Sequence, residues 1–183
     1  IADIGIIGLP NAGKSSFLSR CTKAKPKIAN YPFTTLNPNL GVLNINHKEI
    51  ILADIPGLIE GAHDGKGLGT QFLRHIERTR ILLFVIECTS TDPSQELEAL
   101  RNELAAFDSN MLEKPWGIAY TKSDLVDEEK FVNPLPDHPA PNYLISSISG
   151  YGISTLIRAL GHAVSDFRKR EIQAERNEKG LIY

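Results

Sequence analysis

Residues Gly8-Leu9-Pro10-Asn11-Ala12-Gly13-Lys14-Ser15 read G-x-x-x-x-G-K-S, directly after the apolar residues Ile4, Ile6 and Ile7 and before a helical pattern. This arrangement suits an anion. Gly8 and Gly13 let the backbone turn tightly and approach a ligand, so that successive N–H groups and the positive end of the following helix converge on phosphate. Lys14 is placed to reach the β- and γ-phosphate oxygens. The Ser15 hydroxyl can take one position around Mg²⁺, with Ser16 in the same first helical turn.

A second half-site follows in chain order. Asp54-Ile55-Pro56-Gly57 ends an apolar run with a carboxylate that can hold Mg²⁺ through water and a glycine whose N–H can bond a γ-phosphate. Between the two half-sites lies a stretch rich in Pro, Asn and Thr, from Lys25 to Asn39, containing Phe33, Thr34 and Thr35. A threonine here, Thr35 by preference, would complete the Mg²⁺ shell while its backbone N–H meets the γ-phosphate, so the loop's position would depend on that phosphate. The glycine-dense run from Glu60 to Gly69 is a candidate second switch. His63 within it reads more simply as a solvated loop histidine than as a general base.

The elements needed to position these residues follow from periodicity. Ile1–Ile7 reads as a buried strand and Lys14–Lys23 as the helix behind the phosphate loop. Gly41–Ile45 and Glu49–Ala53 flank Asn46-His47-Lys48 as a hairpin. Ile81–Ile86 is an unbroken apolar run bounded by charges, the pattern of a strand covered on both faces. Asp92-Pro93 supplies an N-cap and a first-turn proline to a helix with Leu97, Leu100 and Leu104 on one side. Strands at Trp116–Tyr120 and Asn142–Ile145 run into Thr121-Lys122-Ser123-Asp124 and Ser146-Ser147-Ile148. A last helix spans Ser154–Arg170, followed by a charged stretch. Strands alternating with helices, plus one hairpin, predict an α/β fold with a mostly parallel sheet, helices on both faces and the ligand at the strands' carboxyl ends.

Composition narrows the class. At 183 residues and 42% hydrophobic content the chain can bury one well-formed core, and no apolar stretch is long enough to cross a bilayer. A formal net charge of −2 provides no overall basic field for direct DNA binding. Cys21 and Cys88 read as small hydrophobes rather than as a redox or metal site.

In this order, GLPNAGKS, PFTTLNPNLG, DIPGLIEGAHDGKGLG, TKSD and SSISG resemble the five signature motifs of the translation-factor-like P-loop GTPases. The long block DIPGLIEGAHDGKGLGTQFLRHIERT is similar to the Obg subfamily, and the resemblance covers essentially the whole chain. It implies the three-layer GTPase-type P-loop fold, a mostly parallel six-stranded sheet with one antiparallel edge strand. It also implies GTP and GDP as ligands, Mg²⁺, slow hydrolysis, a cytoplasmic setting and a role at the large ribosomal subunit in assembly or in stress and growth control. Residues 1–170 would form the GTPase domain, monomeric when isolated, and 171–183 a charged tail. A glycine-rich N-terminal domain and any C-terminal domain would lie outside this chain.

The resemblance also assigns a base site. Asp124 would accept from guanine N1–H and the 2-amino group, Lys122 would lay its stem along the base, Ser147 would offer a backbone N–H to guanine O6, and Ser146, beside Ile148, would brace the Asp124 loop. Thr121 stands where the pattern has an Asn that reaches guanine N7 or the phosphate loop, which leads to an expectation of weaker affinity. Leu58 stands where many relatives have a water-orienting Gln. Asn11 matches GTPases in which this side chain helps bind K⁺ beside the phosphates; it equally suits a residue that tolerates the loop's backbone angles. Two rival readings share these residues: a nucleotide-gated ribosome-binding module whose hydrolysis only resets it, and an ATP-using relative.

Overall fold

The computed structural model describes residues 2–22, 27–28, 39–45, 47–54 and 79–178. In chain order the elements are β1 (Ile4–Ile7), α1 (Lys14–Cys21), β2 (Lys27–Ile28), β3 (Asn39–Ile45), β4 (Lys48–Asp54), β5 (Ile81–Glu87), α2 (Pro93–Phe107), β6 (Trp116–Thr121), β7 (Asn142–Leu144) and α3 (Ile153–Glu178). They form one sheet of order β2-β3-β4-β1-β5-β6-β7. β4, β1, β5, β6 and β7 are parallel, β3 runs antiparallel to β4, and the two-residue β2 extends the six expected strands beyond β3.

Alternation along β5 accounts for the layers. Leu83 and Val85 point into a core shared with Phe17 and Leu18 of α1 and with Leu156, Leu160 and Val164 of α3. Leu82, Phe84 and Ile86 point the other way, onto Leu97, Leu100 and Leu104 of α2. A strand buried on both faces has no reason to alternate apolar with polar residues, which is why this run is unbroken. The capping expected of α2 is present: the Asp92 carboxylate accepts from Gln95 N–H, and Pro93 opens the helix.

Strand order reverses at β1, whose neighbours β4 and β5 lead to opposite halves of the sheet. In open parallel sheets the crevice at such a switch point takes the ligand. Here the G-x-x-x-x-G-K-S loop leaves β1 at that point.

The opposite edge is held by charge. Asp3 is 2% exposed. Its carboxylate accepts from Arg80 Nη1 at 2.8 Å, from Arg168 Nη2 at 2.8 and 2.9 Å and from Ile51 N–H at 3.0 Å. Arg80 Nε in turn donates to Glu171 at 2.7 Å. These bonds tie α3 to the base of the sheet, and the helix continues past the expected end at Arg170 to Glu178. Within that stretch Glu171 pairs with Arg80 from a helical position.

Asp3→Ala removes the carboxylate shared by two guanidinium groups that are 27% and 33% exposed and keep Glu171 and the Glu49 carbonyl as acceptors, so the loss should be about 2–4 kcal/mol, below that of a fully buried pair. Glu171→Ala should cost less than about 1 kcal/mol. Urea denaturation of both variants checks the ranking.

Candidate functional site

The phosphate loop is built by close approach. A Cβ at Gly8 would lie 2.4 Å from the Val85 carbonyl, so only glycine lets the loop lie this tightly against β5. Gly13 has φ +95°, a conformation side chains disfavour, and it opens α1 with no side chain capping the helix. Asn11 also sits in the left-handed region, at φ 64°. The first-turn N–H groups of α1 are thereby left facing outward, beside the exposed Ser15 and Ser16. Pro10 is exposed and Leu9 half-buried along the same loop. Lys14 folds back over the loop, and its ammonium donates to the Gly8 and Leu9 carbonyls at 2.8 Å each.

Asp54 closes the other side. It ends β4 beside Ile6 of β1, and its Oδ2 accepts from the Ser15 hydroxyl at 2.8 Å. The residue is 3% exposed, and its Oδ1 has no hydrogen-bond partner among the described residues. Burial pushes this carboxyl above its ordinary range, against the downward pull of the Ser15 hydrogen bond and the Lys14 charge. A buried carboxylate with an unmet oxygen, next to a serine hydroxyl, is a hard-oxygen donor set suited to Mg²⁺.

The base-site motifs meet at the ends of β6 and β7. Asp124 lies exposed in the short 3-10 helix Ser123–Leu125, and its Oδ1 accepts from the Ser146 hydroxyl at 2.5 Å. Ser146 is itself buried, and its Oγ accepts from the N–H groups of Ile148 at 3.2 Å and Ser149 at 3.1 Å. Ser123 N–H donates to the Ile145 carbonyl at 3.1 Å, joining the two loops through the backbone. Ser147 is half-buried in the turn, and Ile148 is 80% exposed beyond it.

Thr121 connects the two halves. It is 2% exposed, and its hydroxyl donates to the Ala12 carbonyl of the phosphate loop at 2.6 Å. The loop contact that the Asn of the related pattern would make is therefore present, made by a shorter side chain, and Thr121 gives no ground for expecting weaker affinity through that contact.

Lys122 adopts φ 60°, and its ammonium pairs with Glu87 Oε2 at 2.6 Å. Glu87 went unnoticed in the sequence beyond bounding an apolar strand. The available signal was a carboxylate at a parallel strand's carboxyl end, level with the Thr121-Lys122-Ser123-Asp124 turn. Phe33, Thr34, Thr35, Gly57, Leu58 and His63 lie outside the described residues.

Residues 3–122 match the family model described as 50S ribosome-binding GTPase. The chain is 52% identical over 159 residues to GTPase Obg of Bacteroides thetaiotaomicron, covering 85% of this chain and 41% of that protein. It is 45% identical over 174 residues to GTPase Obg of Anaeromyxobacter sp. (strain K), covering 90% and 49%. The chain thus spans less than half the length of these curated relatives. Among solved structures, the cytosolic domain of the T. maritima FeoB iron transporter in its GMPPNP form superposes with a TM-score of 0.67 at 23% identity, over 90% of this chain and 64% of that one. A putative nucleolar GTP-binding protein 1 from Plasmodium falciparum gives 0.67 at 19% identity, over 96% and 92%. At these identities the structural likeness bears on the fold alone.

Two outcomes follow from the geometry. A carboxyl with a raised folded pKa stabilises the fold fully only below its unfolded pKa and loses that contribution as pH rises through the folded value. Asp54→Asn should therefore melt higher than the parent at pH 7 without nucleotide, by about 1 kcal/mol, with the gap closing on acidification, while Mg²⁺-dependent nucleotide binding is lost. Calorimetry across pH checks this. Thr121→Val should cost about 1–3 kcal/mol by leaving the Ala12 carbonyl without its donor, whereas Thr121→Asn should change GDP affinity by less than about threefold in titration.

Proposed function

The chain belongs to the 50S ribosome-binding GTPases, as an Obg-type G domain, and from that premise we propose that it binds GTP and GDP and hydrolyses GTP, slowly, to GDP and phosphate. In this reading it is a nucleotide-dependent switch in large ribosomal subunit assembly and in stress or growth control, acting in the cytoplasm. Among the described residues no helix is long and apolar enough to cross a membrane.

The observation that carries the reading is the Thr121–Ala12 hydrogen bond, which holds the phosphate loop and the Asp124 turn together along one edge of the sheet. A nucleotide seated there meets both motifs at once. Its phosphates lie over the first turn of α1, and its base reaches Asp124, whose Oδ1 is already oriented by Ser146. Guanine presents two donors to that carboxylate and adenine does not, so ATP would leave it without the two hydrogen bonds that guanine supplies. That disfavours the ATP-using alternative.

Ser15 and Asp54 would hold Mg²⁺ together with Thr35, and when bound the ion neutralises charge on the β- and γ-phosphates. In hydrolysis, water attacks the γ-phosphorus in line, the bond to the bridging oxygen breaks, and its electron pair stays on GDP. Lys14 would leave the Gly8 and Leu9 carbonyls to meet the charge that develops on the phosphates, with Gly57 N–H on the γ-phosphate. Leu58 cannot orient the water, which makes slow turnover the expectation. K⁺ bound beside Asn11 would add a cation at the bridging oxygen; this rests on motif spacing, and the left-handed backbone of Asn11 accounts for the residue without it.

Docking on an RNA-rich particle is supported by a groove of about 210 Å³ between α3 and the β3–β4 hairpin, where Lys48, Arg158 and His162 surround Ile45 and Ile50. A module whose hydrolysis only resets it would keep the same site.

Asp124→Asn should lower GTP affinity by about 10²-fold and favour xanthine nucleotides instead, as read by competition binding; unchanged GTP affinity would take Asp124 out of the site. Co-sedimentation with large ribosomal subunits, with GDP and with a non-hydrolysable GTP analogue, tests the switch. Equal binding in both states rules it out.

A further inference from the structure

The turn that follows β5 reaches across to the guanine-site turn and grips it by both its side chain and its backbone. Glu87 and Thr121 are register partners in the β5–β6 ladder, and Cys88 N–H donates to the Thr121 carbonyl at 2.9 Å, so the two strands are bonded to their last residues. One residue further on, Lys122 takes up φ 60° and ψ 38°, a left-handed conformation that a residue with a side chain adopts only when its surroundings impose it. Three groups hold it there. The Cys88 thiol donates to the Lys122 carbonyl at 3.2 Å, Leu125 N–H donates to the same carbonyl at 2.9 Å, and the Lys122 ammonium is fixed on Glu87 Oε2 at 2.6 Å.

Glu87 is itself oriented, because its other oxygen accepts from the Thr89 hydroxyl at 2.5 Å. The Lys122 and Thr89 hydrogen bonds hold the Glu87 carboxyl below its ordinary range. Both members of the pair keep about a third of their side-chain surface exposed. An ion pair at such a position adds little to folding stability. Its effect is on where the lysine stem lies.

We propose that Glu87 is a positioning residue for guanine nucleotide binding: by holding the Lys122 ammonium it keeps the lysine stem extended along one wall of the base site and keeps the Asp124 turn in its binding shape before ligand arrives. This rests on the reading above, that Lys122 and Asp124 receive guanine. A free lysine samples many rotamers, and ordering it on binding lowers affinity. The Glu87 pair places that ordering in the unliganded protein. Thr89 acts one step further back, by fixing Glu87.

The test is a double-mutant cycle on GDP affinity in the 183-residue chain, using Glu87→Gln, Lys122→Met and the pair together, with the unliganded melting temperature measured for each. Glu87→Gln should weaken GDP binding about tenfold with the melting temperature nearly unchanged, and the double variant should be no weaker than Lys122→Met alone, because Glu87 has no other route to the ligand. Glu87→Asp, which keeps the charge, should recover part of the loss. High salt should bring the parent's affinity down toward that of Glu87→Gln, through screening of the pair. Additive losses in the cycle, or a Glu87→Gln variant that binds GDP like the parent, would overturn the proposal while leaving the guanine site standing. A parent chain that fails to bind GDP at all would overturn both.

Discussion

Four adjacent strands, β4, β1, β5 and β6, form a parallel ladder, and its register fixes the height at which each loop leaves the sheet. Ile6 pairs with both Asp54 and Leu83, and Glu87 pairs with Thr121, so the Thr121–Asp124 turn leaves the sheet four residues further along than Asp54 does. Side chains alternate faces along a strand. A one-residue slip of β4 would therefore turn Asp54 to the opposite face and away from Ser15. Ile50 and Leu52, four and two residues before Asp54 on the same strand, are buried in the core and would be turned away from it by such a slip, and in this way a packing constraint becomes a constraint on the chemistry of the site.

The two edges of the sheet handle buried charge in opposite ways. At the amino edge of β1, Asp3 is surrounded by donors from Arg80, Arg168 and the Ile51 backbone, and the cluster serves to hold α3 down. At the carboxyl edge, Asp54 has the Ser15 hydroxyl and one oxygen without a partner among the described residues. The first aspartate is complete within the described fold. The second shares its other oxygen with Ser15, at the end of the sheet where the G-x-x-x-x-G-K-S loop leaves β1.

Much of this was legible in the sequence because it rests on local pattern. The G-x-x-x-x-G-K-S loop, the doubly buried β5, the Asp92-Pro93 start of α2 and the Ser146 brace on Asp124 all follow from residues near one another in the chain or from a known motif order. What could not be read depends on partners far apart in sequence. Asp3 and Arg168 meet only once β1 and α3 are packed together, and nothing in the charged stretch after Arg170 shows by itself that its glutamate will find Arg80. The partner of Thr121 is hidden for the same reason: it is the carbonyl of Ala12, and a carbonyl has no signature in sequence. Glu87 looked like the end of a strand because its importance lies in the height at which the strand ends.

Thr121 carries one further implication. A hydroxyl has a single proton, and here two carbonyl oxygens face it, Ala12 at 2.6 Å and Ile86 at 3.4 Å. An asparagine amide has two protons and can serve a loop carbonyl and a purine nitrogen together; threonine cannot. With its proton on Ala12, Thr121 has only lone pairs left to present, and guanine N7 is itself an acceptor, so this residue leaves the imidazole edge of the base unread. A 7-deaza purine, with C–H in place of that nitrogen, would lose no hydrogen bond to the Thr121 hydroxyl.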